Sequence, residues 1–184
     1  MIPQTLPGDI GLSASKNFIS KAIRFFGKLQ TGNADRSHAF SAIGDDQIIE
    51  ALWRVRVNDM SKYQGQDIEI YRLPLSDKER VSYRRGMLKI AGDSYGLTKI
   101  PLHALDSVCS AFVRRPVFFF TSKLGISGFK DCSQLTVFGL HKFTEYRLLD
   151  ARQLEVNWRC VSPDYFQDLL RLPHNRALLL YKRG

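Results

Sequence analysis

The segment Cys132–Phe143 places the strongest constraint on the fold, because its apolar residues cover more than one side of a helix. Leu135, Val137, Phe138 and Leu140 cannot all face a single neighbouring layer at 3.6 residues per turn. Such a helix is stable in water only when other elements bury it. The chain therefore needs a substantial core, and 184 residues are enough to build one.

The other periodicities predict a mixture of strands and helices. The predicted strands are 38–42, Ile48–Arg56, Gln66–Leu73, Tyr146–Leu149, Leu154–Cys160 and Ala177–Tyr181, with 117–120 either a strand or a buried loop. The predicted helices are a basic amphipathic one capped by Ser13 or Ser15, then Ser76–Ala91, Pro101–Val113, Cys132–Phe143 and one starting at Ser162. No repeat or linker divides the chain, so we expect one α+β domain over residues 1–184 with an antiparallel sheet.

The balance of charges favours an anionic partner. Lysine and arginine number 27 against 18 acidic residues, which gives a net charge of +9 and a pI near 9.6. A surface of this sign suits an anionic cell envelope, a membrane surface or nucleic acid. Nothing in the sequence matches a standard nucleic-acid-binding motif, so specific nucleic-acid binding is not expected.

The sequence carries no signal that would direct it into or through a membrane by the classical route. Met1–Gly11 has no basic region followed by an apolar run, and the longest apolar runs, 116–120 and 177–181, fall far short of the roughly 20 residues that span a bilayer. We therefore expect no transmembrane segment. The protein is expected to be cytoplasmic or to be delivered without a classical signal peptide. The oligomeric state is left open.

Several chemistries lack their usual motifs. There is no phosphate-binding Gly-x-x-x-x-Gly-Lys-Ser/Thr and no Gly-x-Gly-x-x-Gly after a strand. There is also no His-Glu-x-x-His and no Cys-x-x-Cys, so neither a metal nor another cofactor is expected. The three cysteines cannot all pair, which indicates reduced thiols. A thiol nucleophile is the chemistry that remains.

Position along the chain distinguishes the three cysteines. Cys109 shares a predicted helical stripe with Leu105 and Phe112, and Cys160 belongs to a predicted strand, so both are expected to be core residues. Cys132 follows a turn-like, glycine-containing segment and opens the apolar helix. A helix N-terminus favours a thiolate, because its first N–H groups have no partner within the helix. Cys132 is therefore the candidate nucleophile, with a buried inert thiol as the alternative.

A strand histidine supplies the candidate base. His38 lies on a predicted strand next to the turn Gly44-Asp45-Asp46, and a hairpin centred near Gly44 places it opposite Glu50 on the following strand. Cross-strand neighbours lie about 5 Å apart at Cβ and diagonal ones about 7–8 Å, so a shift of two positions still leaves them within reach. A carboxylate there can fix the tautomer of the imidazole and stabilise its protonated form. The alternatives are a buried structural histidine and a surface glutamate.

These residues resemble the NlpC-type family of papain-like cysteine peptidases. The segment Asp131-Cys132-Ser133-Gln134-Leu135 is similar to the family's Asp-Cys-Ser-Gly-Leu nucleophile motif, and Ser37-His38-Ala39-Phe40 is similar to its histidine strand. Here the histidine precedes the cysteine, as in the circularly permuted YiiX/YebB-type branch, which is related to lecithin:retinol acyltransferase-like proteins. The resemblance covers about residues 7–170.

The resemblance implies a permuted papain-like fold, with an antiparallel sheet packed against helices and the nucleophile at a helix N-terminus. Cys132 then matches the nucleophile, His38 the general base and Glu50 the residue that orients the histidine. Tyr95 matches a family tyrosine that helps the oxyanion site. Gln134 departs from the usual small residue after Cys-Ser and could narrow the cleft, and the connection between Tyr95 and Cys132 is longer than in the family.

The resemblance also implies a thiol hydrolase, an amidase or endopeptidase that cleaves peptide amides through an acyl-enzyme. Peptidoglycan peptides are the leading substrates by analogy. One alternative is an acyltransferase or amidase acting on lipid amides. Another is a non-catalytic binding module of the same fold, whose basic face contacts an anionic envelope or membrane.

Overall fold

The computed structural model describes residues 2–14, 35–51, 54–93 and 132–183, with isolated positions between 21 and 28 and between 105 and 113. The described strands are β1 (Ile10–Ala14), β2 (His38–Gly44), β3 (Gln47–Ala51), β4 (Val55–Asp59), β5 (Asp67–Arg72) and β6 (Leu178–Arg183). They form one sheet in the order β4-β3-β2-β1-β5-β6, and every neighbouring pair is antiparallel. β2, which carries His38, is thus an inner strand.

Three α-helices stand out among the described residues, and short 3₁₀ turns connect other elements. The α-helices are α1 (Asp77–Lys89), α2 (Cys132–Phe143) and α3 (Pro163–Arg171), and the 3₁₀ turns are Met60–Tyr63, Trp158–Cys160 and Pro173–Asn175. α1 begins with the predicted capping box, in which Ser76 and Glu79 satisfy each other's backbone N–H groups. The bounds of α2 agree with the sequence prediction, and the α+β class is confirmed.

The two faces of the sheet are covered differently. Residues such as Leu12, Ala39 and Ile49 pack with Leu135, Leu140 and other residues of the three helices in the larger core. Alternate strand residues, among them Phe40, Ile48, Ile68 and Ile70, pack with Met60 and Tyr63 in a smaller cluster. Because successive side chains of a strand point to opposite faces, each inner strand contributes to both cores. This explains why β1 and β2 are buried along almost their full length.

Three predicted strands are wrong in their course. Of Tyr146–Leu149, only Leu149 takes part in strand pairing, through an isolated bridge with Glu155. The predicted strand Ile48–Arg56 is two strands, β3 and β4, which pair antiparallel with Ala51 opposite Val55. The residues between them offer no glycine, proline or asparagine, so the reversal has no composition signal. The predicted strand Leu154–Cys160 forms an isolated bridge between Leu149 and Glu155 and then the Trp158–Cys160 turn. There the Asn157 side chain accepts from the N–H of Arg159, and this cap competes with an extended course.

The predictions for the first helix, for Pro101–Val113 and for Val117–Phe120 fall partly or wholly outside the described residues. The first helix and Val117–Phe120 lie outside them, apart from isolated positions of that helix. For Pro101–Val113 the expected core stripe is wrong in its described members, because Leu105 is 47% and Phe112 82% exposed, while Cys109 is half-buried. Helical spacing identifies a shared face but does not show whether another element covers it. No helix formed by the described residues is long and apolar enough to cross a membrane.

Candidate active site

Cys132 is the first residue of α2 and is almost completely buried. The residues that follow it fasten this end of the helix to the segment before α3. Ser133 Oγ donates to the Val161 carbonyl at 2.6 Å, and Gln134 Nε2 donates to the Arg159 carbonyl at 2.8 Å. Gln134 stands where the NlpC-type motif that this segment resembles has a small residue. Its side chain is buried and bonded to the neighbouring segment, so it anchors the start of α2. The position of the thiol is fixed by this anchored turn.

A chain of hydroxyl groups ties α2 to the strand that carries His38. Tyr83 Oη of α1 donates to Ser41 Oγ at 2.7 Å, and Ser41 Oγ donates to Thr136 Oγ1 at 3.3 Å. Thr136 Oγ1 in turn donates to the Cys132 carbonyl at 3.1 Å. Ser41 lies on β2, so three elements meet in one buried line that ends at Cys132. Such satisfied buried networks fix relative positions more strongly than apolar packing alone.

His38 and Glu50 meet across the β2–β3 hairpin. Phe40 is the residue directly opposite Glu50, so the register differs by two positions from the predicted one. His38 is therefore a diagonal neighbour of Glu50, and its Nε2 lies 2.7 Å from Glu50 Oε2. Because Nε2 is engaged in this way, Nδ1 is the ring nitrogen left to interact with a thiol. The hairpin thus produces the predicted pairing through a different register.

Glu50 is completely buried and accepts hydrogen bonds on both oxygens. Oε2 accepts from His38 and from Tyr63 Oη at 2.6 Å, whereas Oε1 accepts from Asn58 Nδ2 at 2.7 Å and from Lys62 Nζ. Burial alone would raise the pKa of Glu50, but the bonds from His38, Lys62 and Tyr63 lower it to about 2. The carboxylate is consequently ionised over the physiological range.

The imidazole of His38 is held between two groups that favour its protonated form. Burial alone would lower its pKa, but the neighbouring Cys132 thiolate and the Glu50 carboxylate raise it to about 9. Cys132 contributes both as a charge and as a hydrogen-bond partner of the ring. A cysteine is nucleophilic as the thiolate, and the protonated imidazole of His38 beside Cys132 is the group that would stabilise that form.

Tyr63 closes the side of the site that faces the smaller cluster. Its ring stacks on Phe40 at a centroid distance of 4.2 Å, and the His38 ring lies parallel to it at 6.5 Å. Burial, together with the Glu50 carboxylate, raises the pKa of Tyr63, so its hydroxyl remains a donor to Glu50. Tyr63 thereby joins the apolar packing under β2 to the polar site.

A second buried carboxylate fixes the chain where it enters β2. Glu69 accepts from Gln167 Nε2 at 2.7 Å and forms an ion pair with Arg36 Nη2 at 3.1 Å. The backbone N–H of Arg36 also donates to Asp164 Oδ1 at 3.0 Å. Burial would raise the pKa of Glu69, but hydrogen bonds from Gln167, Tyr71 and Lys182 and the charge of Arg36 lower it to about 2. Because Arg36 precedes His38 by two positions, this network helps to fix the position of His38 at the start of β2.

The structure brings together three of the four residues selected from the sequence: Cys132, His38 and Glu50. Tyr95 lies outside the described residues, so its role stays a prediction. Sequence reasoning missed the other donors to Glu50, which are Asn58, Lys62 and Tyr63. Recognising the reversal after Ala51 would have placed them beside Glu50.

The fold and these residues define a class of α+β protein in which a buried cysteine is the first residue of a helix and lies next to a histidine on a strand. No family model matches the sequence, and no curated protein matches it. The structure is similar to the crystal structure of the metalloprotein YiiX from Escherichia coli O157:H7, DUF1105, with a TM-score of 0.63 and 16% identity over 98% of both chains. The chain therefore has the fold of a YiiX-type protein.

Proposed function

We propose that this protein is a thiol hydrolase that cleaves amide bonds through an acyl-enzyme on Cys132. The observation that carries the proposal is the hydrogen-bonded order of groups. Glu50, buried and ionised, bonds one nitrogen of His38, and Cys132 at a helix N-terminus is a partner of the same imidazole. A nucleophile, a base and a group that orients the base are the minimum that covalent acyl transfer requires.

The chemistry follows from the protonation states of this pair. The Cys132 thiolate attacks the carbonyl carbon of the amide, and its electrons form a C–S bond while the carbonyl oxygen becomes an oxyanion. His38 donates its proton to the nitrogen as the C–N bond breaks, so an amine leaves and a thioester remains. Neutral His38 then takes a proton from water, which attacks the thioester. The acid leaves, and the thiolate–imidazolium pair is restored.

The oxyanion needs donors aimed at the carbonyl oxygen. Cys132 is the first residue of α2, so its backbone N–H lacks a partner within the helix and is one candidate. Tyr95 is the second candidate, and it rests on the resemblance to the NlpC-type family.

The permuted papain-like architecture and the substrate class belong to the same proposal. His38 and Glu50 precede Cys132 in the chain, which is the order in the circularly permuted branch of the NlpC-type family. The fold of a YiiX-type protein is compatible with that branch. The proposed substrates are peptide amides, with peptidoglycan peptides first, and the net charge of +9 would retain the enzyme on an anionic envelope. Lipid amides would undergo the same thiol chemistry.

The structurally similar YiiX is called a metalloprotein, which raises the question of metal ligands in this chain. Within residues 2–14, 35–51, 54–93, 132–183 and the isolated positions, no three His, Cys, Asp or Glu side chains converge on one point. The described residues therefore do not offer a site with three such ligands, and no step of the proposed reaction passes through a metal.

The proposal is tested by incubating the protein with purified peptidoglycan and, separately, with lipid extracts, followed by mass spectrometry of the products. We expect new cleaved muropeptides with wild type, none with Cys132→Ala, and unchanged products with the matched control Cys109→Ala. Cleavage in the lipid extract alone would move the proposal to lipid amides. Activity that survives in Cys132→Ala, or no product from any amide substrate, would refute the assignment.

A further inference from the structure

Lys62 approaches Glu50 from a rigid turn. It belongs to the 3₁₀ segment Met60–Tyr63, which is capped by Asp59 through a 2.7 Å bond from the Ser61 N–H. The carbonyl of Lys62 accepts from Gln66 Nε2 at 2.7 Å, so the backbone is held on both sides. Its ammonium bonds Glu50 Oε1 while 39% of the side chain stays exposed. The cation is thus placed by the fold and remains in contact with solvent.

The charges of the site alternate in sign along one line. When Cys132 is ionised, its thiolate, the His38 imidazolium, the Glu50 carboxylate and the Lys62 ammonium follow one another through the contacts already given. The four charges sum to zero, whereas the first three alone sum to −1. Asn58 and Tyr63, the other donors to Glu50, are neutral and cannot balance that excess.

Other charged groups near Glu50 do not replace Lys62. Arg56 lies opposite Glu50 in the β3–β4 register, but its side chain is exposed and forms no ion pair with Glu50 within the described part of the chain. Asp59, the cap of the 3₁₀ turn, is exposed and adds a negative charge. Among the described residues, the other titratable groups that contact Glu50 are His38 and Tyr63, with Cys132 beyond the imidazole.

We propose that Lys62 is a positioning residue for the thiol chemistry, which neutralises Glu50 and so sets the pH range in which the Cys132–His38 pair exists. This inference rests on the proposed function. Without the ammonium, the site carries one more negative charge, and every group in it holds its proton more tightly. Both formation of the thiolate and loss of the imidazolium proton then move to higher pH. A merely structural lysine would change the amplitude of activity without moving its pH range.

The size of the shift follows from the charge and its surroundings. For a unit charge about 10 Å from the sulfur in a medium of effective dielectric constant of about 40, Coulomb's law corresponds to about half a pH unit. Lys62 is partly exposed, so added salt screens this effect. The shift is therefore expected to be larger at low ionic strength.

The experiment measures the rate of iodoacetamide labelling of Cys132 against pH, resolved from the other cysteines by peptide mass spectrometry. It needs no substrate, so it separates this inference from the proposed function. The variants are Lys62→Met and Lys62→Gln, which remove the charge, and Lys62→Arg, which keeps it. Lys78→Met is the matched control, because it removes the same charge from the first turn of α1.

We expect both neutral variants to shift the labelling profile upward by about half a pH unit at low salt, whereas Lys62→Arg and Lys78→Met leave it in place. An unchanged profile in the neutral variants, or an equal shift with Lys78→Met, overturns the inference. If wild type labels as expected but cleaves no amide, the proposed function fails while the role of Lys62 stands. If amides are cleaved and the profile does not move, only the role of Lys62 fails.

Discussion

Replacing Glu50 by glutamine removes one buried charge from the site without a change of size. The carboxylate receives donors on both oxygens, among them His38 and Lys62. A glutamine presents an amide NH₂ where one of those oxygens stood, so two donors face each other in a buried place. The substitution therefore removes one of the two groups that favour the charged form of His38, the other being Cys132, and leaves two buried donors without an acceptor.

The magnitude follows from the pKa of His38, which the folded state raises from 6.5 to about 9. That difference corresponds to about 3 kcal/mol for Cys132 and Glu50 together, and Cys132 is the larger contributor. The part that comes from Glu50 is the same interaction that lowers the pKa of Glu50, so it is counted once. A raised histidine pKa stabilises the fold fully below the unfolded value and is lost as the pH rises through 9. The lowered pKa of Glu50, about 2, stabilises the fold above 4.5 and is lost as the pH falls through 2. The interaction is complete between these two unfolded values.

Two measurements test this reasoning, an NMR titration of the His38 ring and urea unfolding at about pH 5.5. We expect wild type to titrate well above the ordinary histidine value, and Glu50→Gln to titrate lower by about one pH unit and to unfold more easily by about 1–2 kcal/mol. The matched control is Glu155→Gln, since Glu155 lies 3.3 Å from His141 Nδ1 but is 56% exposed, and it should cost less than about 1 kcal/mol. If His38 of wild type titrates at its ordinary value, or if both variants cost the same, the argument is refuted.

Three further substitutions test how the fold supports the site. Tyr83→Phe removes the hydroxyl that donates to Ser41, and urea unfolding should show a loss of about 1 kcal/mol with an unchanged circular dichroism spectrum; no loss would contradict the role of the hydroxyl chain. Gly11→Ala would place a Cβ 2.0 Å from the Phe40 ring, so we expect a large drop in melting temperature, and a melting temperature like that of wild type would show that β1 can shift. Ser76→Ala removes the cap of α1 and should cost about 1 kcal/mol, whereas Ser76→Asp should restore it.

The sequence was informative where local chemistry decides the structure. Cys132–Phe143 is apolar on several sides and follows a turn, so both its helical state and its burial could be predicted, with the observed bounds. The capping box of Ser76 and Glu79 depends on residues three positions apart and was equally predictable. The pairing of His38 with Glu50 needed only an approximate turn, because a diagonal neighbour remains within reach.

The rest depended on backbone choices that composition does not mark. Gly44, Asp45 and Asp46 all adopt positive φ angles, so the turn is centred one residue later than predicted and the register moves by two. Non-glycine residues rarely adopt a positive φ, and the residue types alone do not show that both Asp45 and Asp46 do so here. Likewise, the reversal between Ala51 and Val55 has no turn residue, which hid the approach of the Met60–Tyr63 turn to Glu50.

The chain of hydroxyl groups that joins α1, β2 and α2 has a consequence for the order of events during folding. Ser41 and Thr136 are separated by 95 positions, and contacts of such long range form late, after the loop between them has closed. Until then His38 can meet Glu50 within the local β2–β3 hairpin, but it lacks Cys132, which lies on the distant α2. A nascent or misfolded chain would therefore lack the contact between His38 and Cys132 on which the proposed thiol chemistry depends.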